Sequence, residues 1–378
     1  MTQSERICND IGTKFFCKDF VYENLKFFNN KNNKVELCDA LFEYASFYVP
    51  LQIKERSICK GEKSEEIWLN EIVYIEAFEQ IKTTIEAIKN NNIKVNDLYH
   101  QEVLLHKDFQ IFPIIVFDNP AIKTYKRVLI DGTIKVNIFR LDEYQEMMDA
   151  IIHPYDIIYY LQERINWLKE HNLPNLIIGD GKESTIIAKI KAEKDFALFF
   201  KQYVYDGNGK KQDEALRHLA LIGTFRDRQI KKNPEYKQIL KILQLIEPKV
   251  AGQFMRCFDY AWGCACADRF DFTKSMLIKY DGKSTSIVFF AVGKKELTNK
   301  KYYEVLCDAK QLQHKADAIL IISFIGDDNN CCKNDWIYYE KEYLEDNSIL
   351  RFYEEIGMFN GTMTFDIFEL LCKKCFGD

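Results

Sequence analysis

The sequence predicts two domains, an α/β domain with a mixed sheet flanked by helices over residues 1–172 and an α+β domain over 173–378. Three observations carry this. The first half reads in the order helix, strands, long helix, strand, strand, judged from where apolar residues recur with period 2 or period 3.6. The stretch Leu173-Pro174-Asn175 has the composition of a linker, and the pattern changes after it. A chain of 378 residues exceeds what one core ordinarily fills.

Residues 3–17 read as a helix, with Ile7, Ile11 and Phe15 four apart. Residues 18–30 read as a strand running into a polar turn, and 29–34 (NNKNNK) as a loop. Strands follow at about 35–44 and 47–56. Pro50 lies inside the second, where it cannot donate to a ladder, and is expected to mark a bulge. Residues 64–90 read as a long helix with Trp68, Ile72, Ile75, Phe78 and Ile85 on its apolar side, ended by Asn90, Asn91 and Asn92. Residues 110–119 form a strand apolar on both faces, 136–144 another, and 153–171 a helix with Pro154 near its first turn. Beyond the linker come a short strand, turns at Gly179-Asp180-Gly181-Lys182 and 206–209, and mostly helical sequence to Cys264. Residues 275–293 read as a hairpin across Asp281-Gly282, and 318–326 as a buried strand.

Hydrophobic residues make up 47% and aromatics 14% of the chain, enough for real cores. The net charge of −5 argues mildly against nucleic-acid binding, which needs Lys and Arg at phosphates. Local basic patches are still available, one at Lys123, Lys126 and Arg127, the other at Lys210 and Lys211. No run of about 18 apolar residues occurs, so no membrane span is expected. The N-terminus lacks the pattern of a signal peptide, so a cytoplasmic location with reduced thiols is expected for the twelve cysteines.

The most informative stretch is 34–56. Asp39 is an acid in an apolar strand, sharing a face with Leu37 and Leu41, and such an acid is costly unless paired or metal-bound. Gln52 and Lys54 point the same way on the next strand, with Ile53 opposite. In a hairpin the three converge, and a carboxylate, a carbonyl oxygen and an ammonium suit a hard metal ion with an activated water. The bland alternative is a hairpin with polar residues facing solvent. Glu55 points to the other face and Glu36 alternates away from Asp39, so neither joins this group.

The acid on one strand followed by Gln52-x-Lys54 on the next resembles the core of the PD-(D/E)xK nuclease superfamily, with Gln52 replacing the commoner Glu. A Gln-x-Lys form occurs there among methylation-dependent restriction enzymes of the Mrr kind. The run Tyr22-x-Asn24, Glu36-Leu37-Cys38-Asp39, Trp68 and Gln80-Ile81 also looks like a group of bacterial proteins with this core. The resemblance covers roughly the first 170 residues. It implies a restriction endonuclease-like fold and Mg²⁺ or Mn²⁺ held by Asp39, the Gln52 side-chain oxygen and the Ile53 backbone carbonyl. It also implies Lys54 beside the nucleophile and DNA as substrate, in restriction or antiviral defence. Gln80 resembles a helical Gln beside the metal site in some branches, and Glu5 is the candidate helical acid; a surface Gln and a helix-start Glu are the plain alternatives.

Cys264-x-Cys266, Cys331-Cys332 and Cys372-x-x-Cys375 invite a zinc reading, but only the last has knuckle spacing, so reduced buried thiols are the default. The six histidines are scattered, and no nucleophile elbow or phosphate loop is present. Two functions compete. One is a metal-dependent nuclease whose C-terminal half recognises or regulates. The other is an inactive nuclease-like module that binds a protein or small ligand, favoured by the lost acid and the net acidity. A protein partner or a second copy would use the C-terminal half.

Overall fold

The computed structural model describes residues 2–15, 20–28, 34–56, 64–90, 93–96, 102–170, 194, 196–201, 209–229, 235–280, 282–294, 301–327, 329, 331–340, 346–355, 358–359 and 363–376. The chain forms two compact units, Met1–Leu216 and Arg217–Asp378. The division falls at Leu216 rather than near residue 173, because Phe196, Ala197 and Phe200 pack into the first core and the two phenylalanines meet Tyr160 edge-on. The expected linker at 173–175 and the turns at 179–182 and 206–208 lie outside the described residues.

In the first unit, helix α1 (Gln3–Phe15) precedes a meander of β1 (Val21–Phe28), β2 (Lys34–Tyr44) and β3 (Phe47–Glu55). Ala45, at φ 50°, takes the left-handed conformation that a two-residue hairpin turn requires. A long helix, α2, follows as three consecutive stretches, Glu65–Trp68, a π-helical Leu69–Ala77, and Phe78–Asn90. A ribbon of β4 (Lys94–Asn96) and β5 (Glu102–Leu104) leads to β6 (Gln110–Ile111), β7 (Ile114–Asp118), β8 (Val128–Asp131) and β9 (Ile134–Arg140). Helices α3 (Leu141–Ala150) and α4 (Asp156–Glu170) come next. The sheet order is β1-β2-β3-β7-β9-β8, with β6 also beside β3. Strands β3, β7 and β9 are parallel and the remaining main-path neighbours antiparallel, so the sheet is mixed. Residues of α1, α3 and α4 share one core with Ala40, Val49, Leu51 and Ile53; α2 buries Val73, Ile81 and Ile85 against Ile115 and Phe117 on the other face.

Three expectations change. Pro50 lies in a central strand without a bulge in the β2–β3 register. Its missing donor is tolerated because β6 pairs only with Phe47 and Tyr48 and β7 only from Leu51 onward. The strand expected over 136–144 ends at Arg140, where Asp142 turns back to bind the Arg140 guanidinium at 2.6 Å and a helix begins. Within α2, Ile75 is 54% exposed while Leu69, Val73 and Ala77 are buried. The i→i+5 bonding of the π stretch shifts the inward face away from the phase that a regular helix would give.

Helix α5 (Gly209–Gln229) spans the division, and in the second unit α6 (Glu235–Gln244) and α7 (Pro248–Cys266) precede the hairpin β10 (Asp271–Tyr280) and β11 (Lys283–Gly293). Gly282, at φ +72°, sits in its turn. Helix α8 (Lys301–His314) then leads to β12 (Ala318–Gly326), parallel to β11, and to β13 (Cys332–Glu340), antiparallel to β12. Helices α9 (Asn347–Glu355) and α10 (Phe365–Phe376) close the unit. Both units thus contain a hairpin, a covering helix, and a strand parallel to the hairpin's second strand: β2-β3-α2-β7 and β10-β11-α8-β12. Among the described residues no helix is long and apolar enough to cross a membrane.

Candidate functional site

The β2–β3 ladder pairs Ala40 with Leu51 and Phe42 with Val49, all facing the α1–α3–α4 core. The ladder ends at Ala40 and Leu51, and the next residues are Asp39 in β2 and Gln52 in β3. The backbone pairing is replaced there by a side chain: Asp39 Oδ2 accepts the Ile53 N–H at 2.6 Å. Gln52 is 3% exposed. Lys54 reaches toward α2, where its Nζ meets Glu76 Oε1 at 2.8 Å. The Asp39 carboxylate is thus bonded to the backbone of the residue between Gln52 and Lys54, while the Lys54 side chain is bonded to α2.

Helix α2 presents a ridge to these strands. Thr84 Oγ1 donates to the Leu37 carbonyl in β2, and Glu76 holds Lys54 in β3. Gln80 lies midway, four residues from each, so all three share one side of the helix. Its Oε1 is buried and has no hydrogen-bond partner. A buried acceptor of this kind calls for a donor, a water or a cation.

On the opposite face, Glu55 and Asp118 are paired across β3 and β7. The first turn of α1 binds both: Ser4 N–H donates to Glu55 Oε2 at 3.0 Å, and Ser4 Oγ to Asp118 Oδ2 at 2.9 Å. The Ser4 backbone N–H is the main reason that the Glu55 carboxyl lies below its ordinary value. Glu5 forms a capping box with Thr2: its carboxylate accepts the Thr2 N–H at 2.8 Å, and Thr2 Oγ1 accepts the Glu5 N–H at 3.2 Å. This places Glu5 in the α1 cap, on the other side of the sheet from Lys54. Its charge is still felt nearby: burial, then Asp39, Asp118 and Glu5 in that order, push the Cys8 thiol up to about 12.

The basic patch expected at Lys123, Lys126 and Arg127 is corrected. Lys123 and Lys126 are exposed, but Arg127 is buried and bonded to Glu143 at 2.9 and 3.1 Å, because the strand it precedes carries it into the core. Lys210 and Lys211 are both exposed at the start of α5.

Among the described residues no group of three or more His, Cys, Asp or Glu side chains is placed to hold a metal ion. A metal at the hairpin end would be held by one strand carboxylate supplemented by amide and backbone oxygens. The donors at hand, Asp39, Gln52 and the orphaned Gln80 oxygen, are all hard oxygens of the kind Mg²⁺ or Mn²⁺ takes. Sequence reasoning missed Glu76 and the Ser4–Glu55–Asp118 anchor. The spacing of four between Glu76 and Gln80 was the available signal for the first. No family model, no curated protein and no solved structure matches the chain.

Proposed function

We propose that the first unit is a metal-dependent nuclease that hydrolyses DNA phosphodiester bonds. The observation that carries this reading is the Asp39 carboxylate on the Ile53 N–H, between Gln52 and Lys54, at the end of a hairpin in a mixed sheet. Asp39, the Gln52 amide oxygen and the Ile53 carbonyl are the groups assigned to Mg²⁺ or Mn²⁺. Once bound, the cation neutralises phosphate charge and lowers the pKa of a water. Lys54 then keeps a fixed positive charge beside the attacking water and the developing charge on phosphorus. Gln80 orients the site from the helix. The second unit serves recognition or regulation, and the setting is restriction or defence against foreign DNA in the cytoplasm.

A second reading, an inactive module that binds a protein or ligand, draws on one observation. Lys54 is neutralised by Glu76, and Gln52 brings no charge to the metal. Plasmid nicking by purified protein in Mg²⁺ or Mn²⁺ separates the two. The nuclease reading expects cleavage that Lys54→Ala and Asp39→Ala abolish with the fold intact. Absence of cleavage of double- and single-stranded DNA, together with no metal binding by calorimetry, favours the second. Full activity in Lys54→Ala places the chemistry elsewhere.

A further inference from the structure

We propose that Glu76 supplies the second carboxylate of the metal site, providing from helix α2 the negative charge that Gln52 does not provide from strand β3. The inference rests on the nuclease reading and names a residue that reading does not use.

Four observations converge on it. Glu76 is bonded to Lys54, so its carboxylate already stands at the end of the hairpin, on the face shared by Gln52 and Lys54. The ridge Glu76–Gln80–Thr84 is anchored at both ends, to Lys54 in β3 and to the Leu37 carbonyl in β2, two residues before Asp39. Between those anchors the Gln80 oxygen is buried with no hydrogen-bond partner, an acceptor left open one helical turn from the Glu76 carboxylate. Glu76 also lies in the π-helical stretch, a deviation that recurs at functional sites and that here alters which residues meet the strands.

The Lys54–Glu76 ion pair is compatible with this role. Its side chains are 14% and 49% exposed, and pairs of that kind are individually weak. Glu76 would hold a divalent cation with the same carboxylate that now binds the ammonium, and Lys54 would then offer its positive charge to a phosphate instead. A counter-ion role alone would leave metal affinity unchanged when Glu76 is neutralised.

The test is Mn²⁺ binding to the full chain by calorimetry, with plasmid cleavage measured alongside, for wild type, Glu76→Gln and the double variant Gln52→Glu/Glu76→Gln. The expectation is that Glu76→Gln weakens Mn²⁺ binding at least about tenfold and slows cleavage about a hundredfold. The double variant, with an acid back on the strand, recovers most of both. Glu76→Gln binding Mn²⁺ as wild type does, in a protein that still cleaves, overturns the role of Glu76 and leaves the nuclease reading standing. Wild type that neither binds Mn²⁺ nor cleaves overturns both.

Discussion

Gln52 precedes Ile53, whose N–H binds Asp39, and it is almost completely buried. A neutral amide there keeps its desolvation cost low but gives a cation less to hold than a carboxylate would. Gln52→Glu is therefore expected to preserve or raise cleavage, with tighter Mn²⁺ binding by calorimetry; loss of both in a folded variant would contradict the assigned geometry. Asp39 has two duties, as metal carboxylate and as acceptor for the Ile53 N–H. Asp39→Asn keeps an acceptor and removes the charge. It should cut cleavage by roughly a thousandfold while unfolding free energy changes by less than about 1 kcal/mol, measured by urea titration on the same samples. The two strands that carry these residues, and the common face of Gln52 and Lys54 on β3, were legible in the sequence because a strand has a period of two, whereas β2 breaks its register with β1 between Glu36 and Cys38, just before Asp39. Glu76 was legible only through its spacing of four from Gln80, since the face of a helix residue depends on a winding that the π stretch changes. Arg127 was misread for a related reason: two exposed lysines precede it, and only the register of β8 shows that it turns inward.

The elements are held by a few buried polar contacts as much as by apolar packing. Arg127 and Glu143 join the segment before β8 to helix α3, and Tyr125 also donates to Glu143. Arg164 of α4 is fully buried, donating to the Arg127 and Ile138 carbonyls and to Asn137 Oδ1, with its guanidinium 4.0 Å from the Phe139 ring. Truncating one member of such a pair leaves the other charged and unpaired. Glu143→Ala should therefore cost about 3 to 5 kcal/mol in urea denaturation, against an exposed control such as Arg217→Ala at the Asp259 pair, which should cost under about 1 kcal/mol. Equal, small effects would show that the Arg127–Glu143 pair does not anchor α3. Helix, hairpin and buried strand were all recoverable from pattern in this half, because each has a single consistent period. Leu141–Ala150 was not: Val136 to Phe139 are strand-like, and the acids that start the helix, Asp142 and Glu143, also suit the end of a strand.

At the scale of the molecule the two units repeat one order of elements with different chemistry. Asp271 in β10 stands opposite Ala291, and the residue two further along β11 is Gly293, not a lysine. Asp271→Ala is accordingly expected to leave cleavage unchanged, and a loss as large as that of Asp39→Ala would move the chemistry toward the second unit. That unit also carries an acid sensitivity. Burial lowers the His218 pKa to about 3, whereas an unfolded histidine titrates near 6.5. Below pH 6.5 the unfolded chain takes up a proton that the folded unit does not, so stability falls with acid from that point toward pH 3. By pH 4.5 this amounts to on the order of 2 to 3 kcal/mol, visible as a falling urea midpoint that His218→Phe flattens. The second unit's hairpin and buried strand were readable from the sequence, whereas the place where the units divide was not, because Phe196 and Phe200 announce their partner only through the packing. The most direct test of the central claim is cleavage of plasmid DNA by the full chain with Mg²⁺ or Mn²⁺, compared with chelator and with Lys54→Ala. The account predicts nicking that requires the metal and disappears in Lys54→Ala while its melting temperature holds; cleavage by Lys54→Ala at the wild-type rate would contradict it.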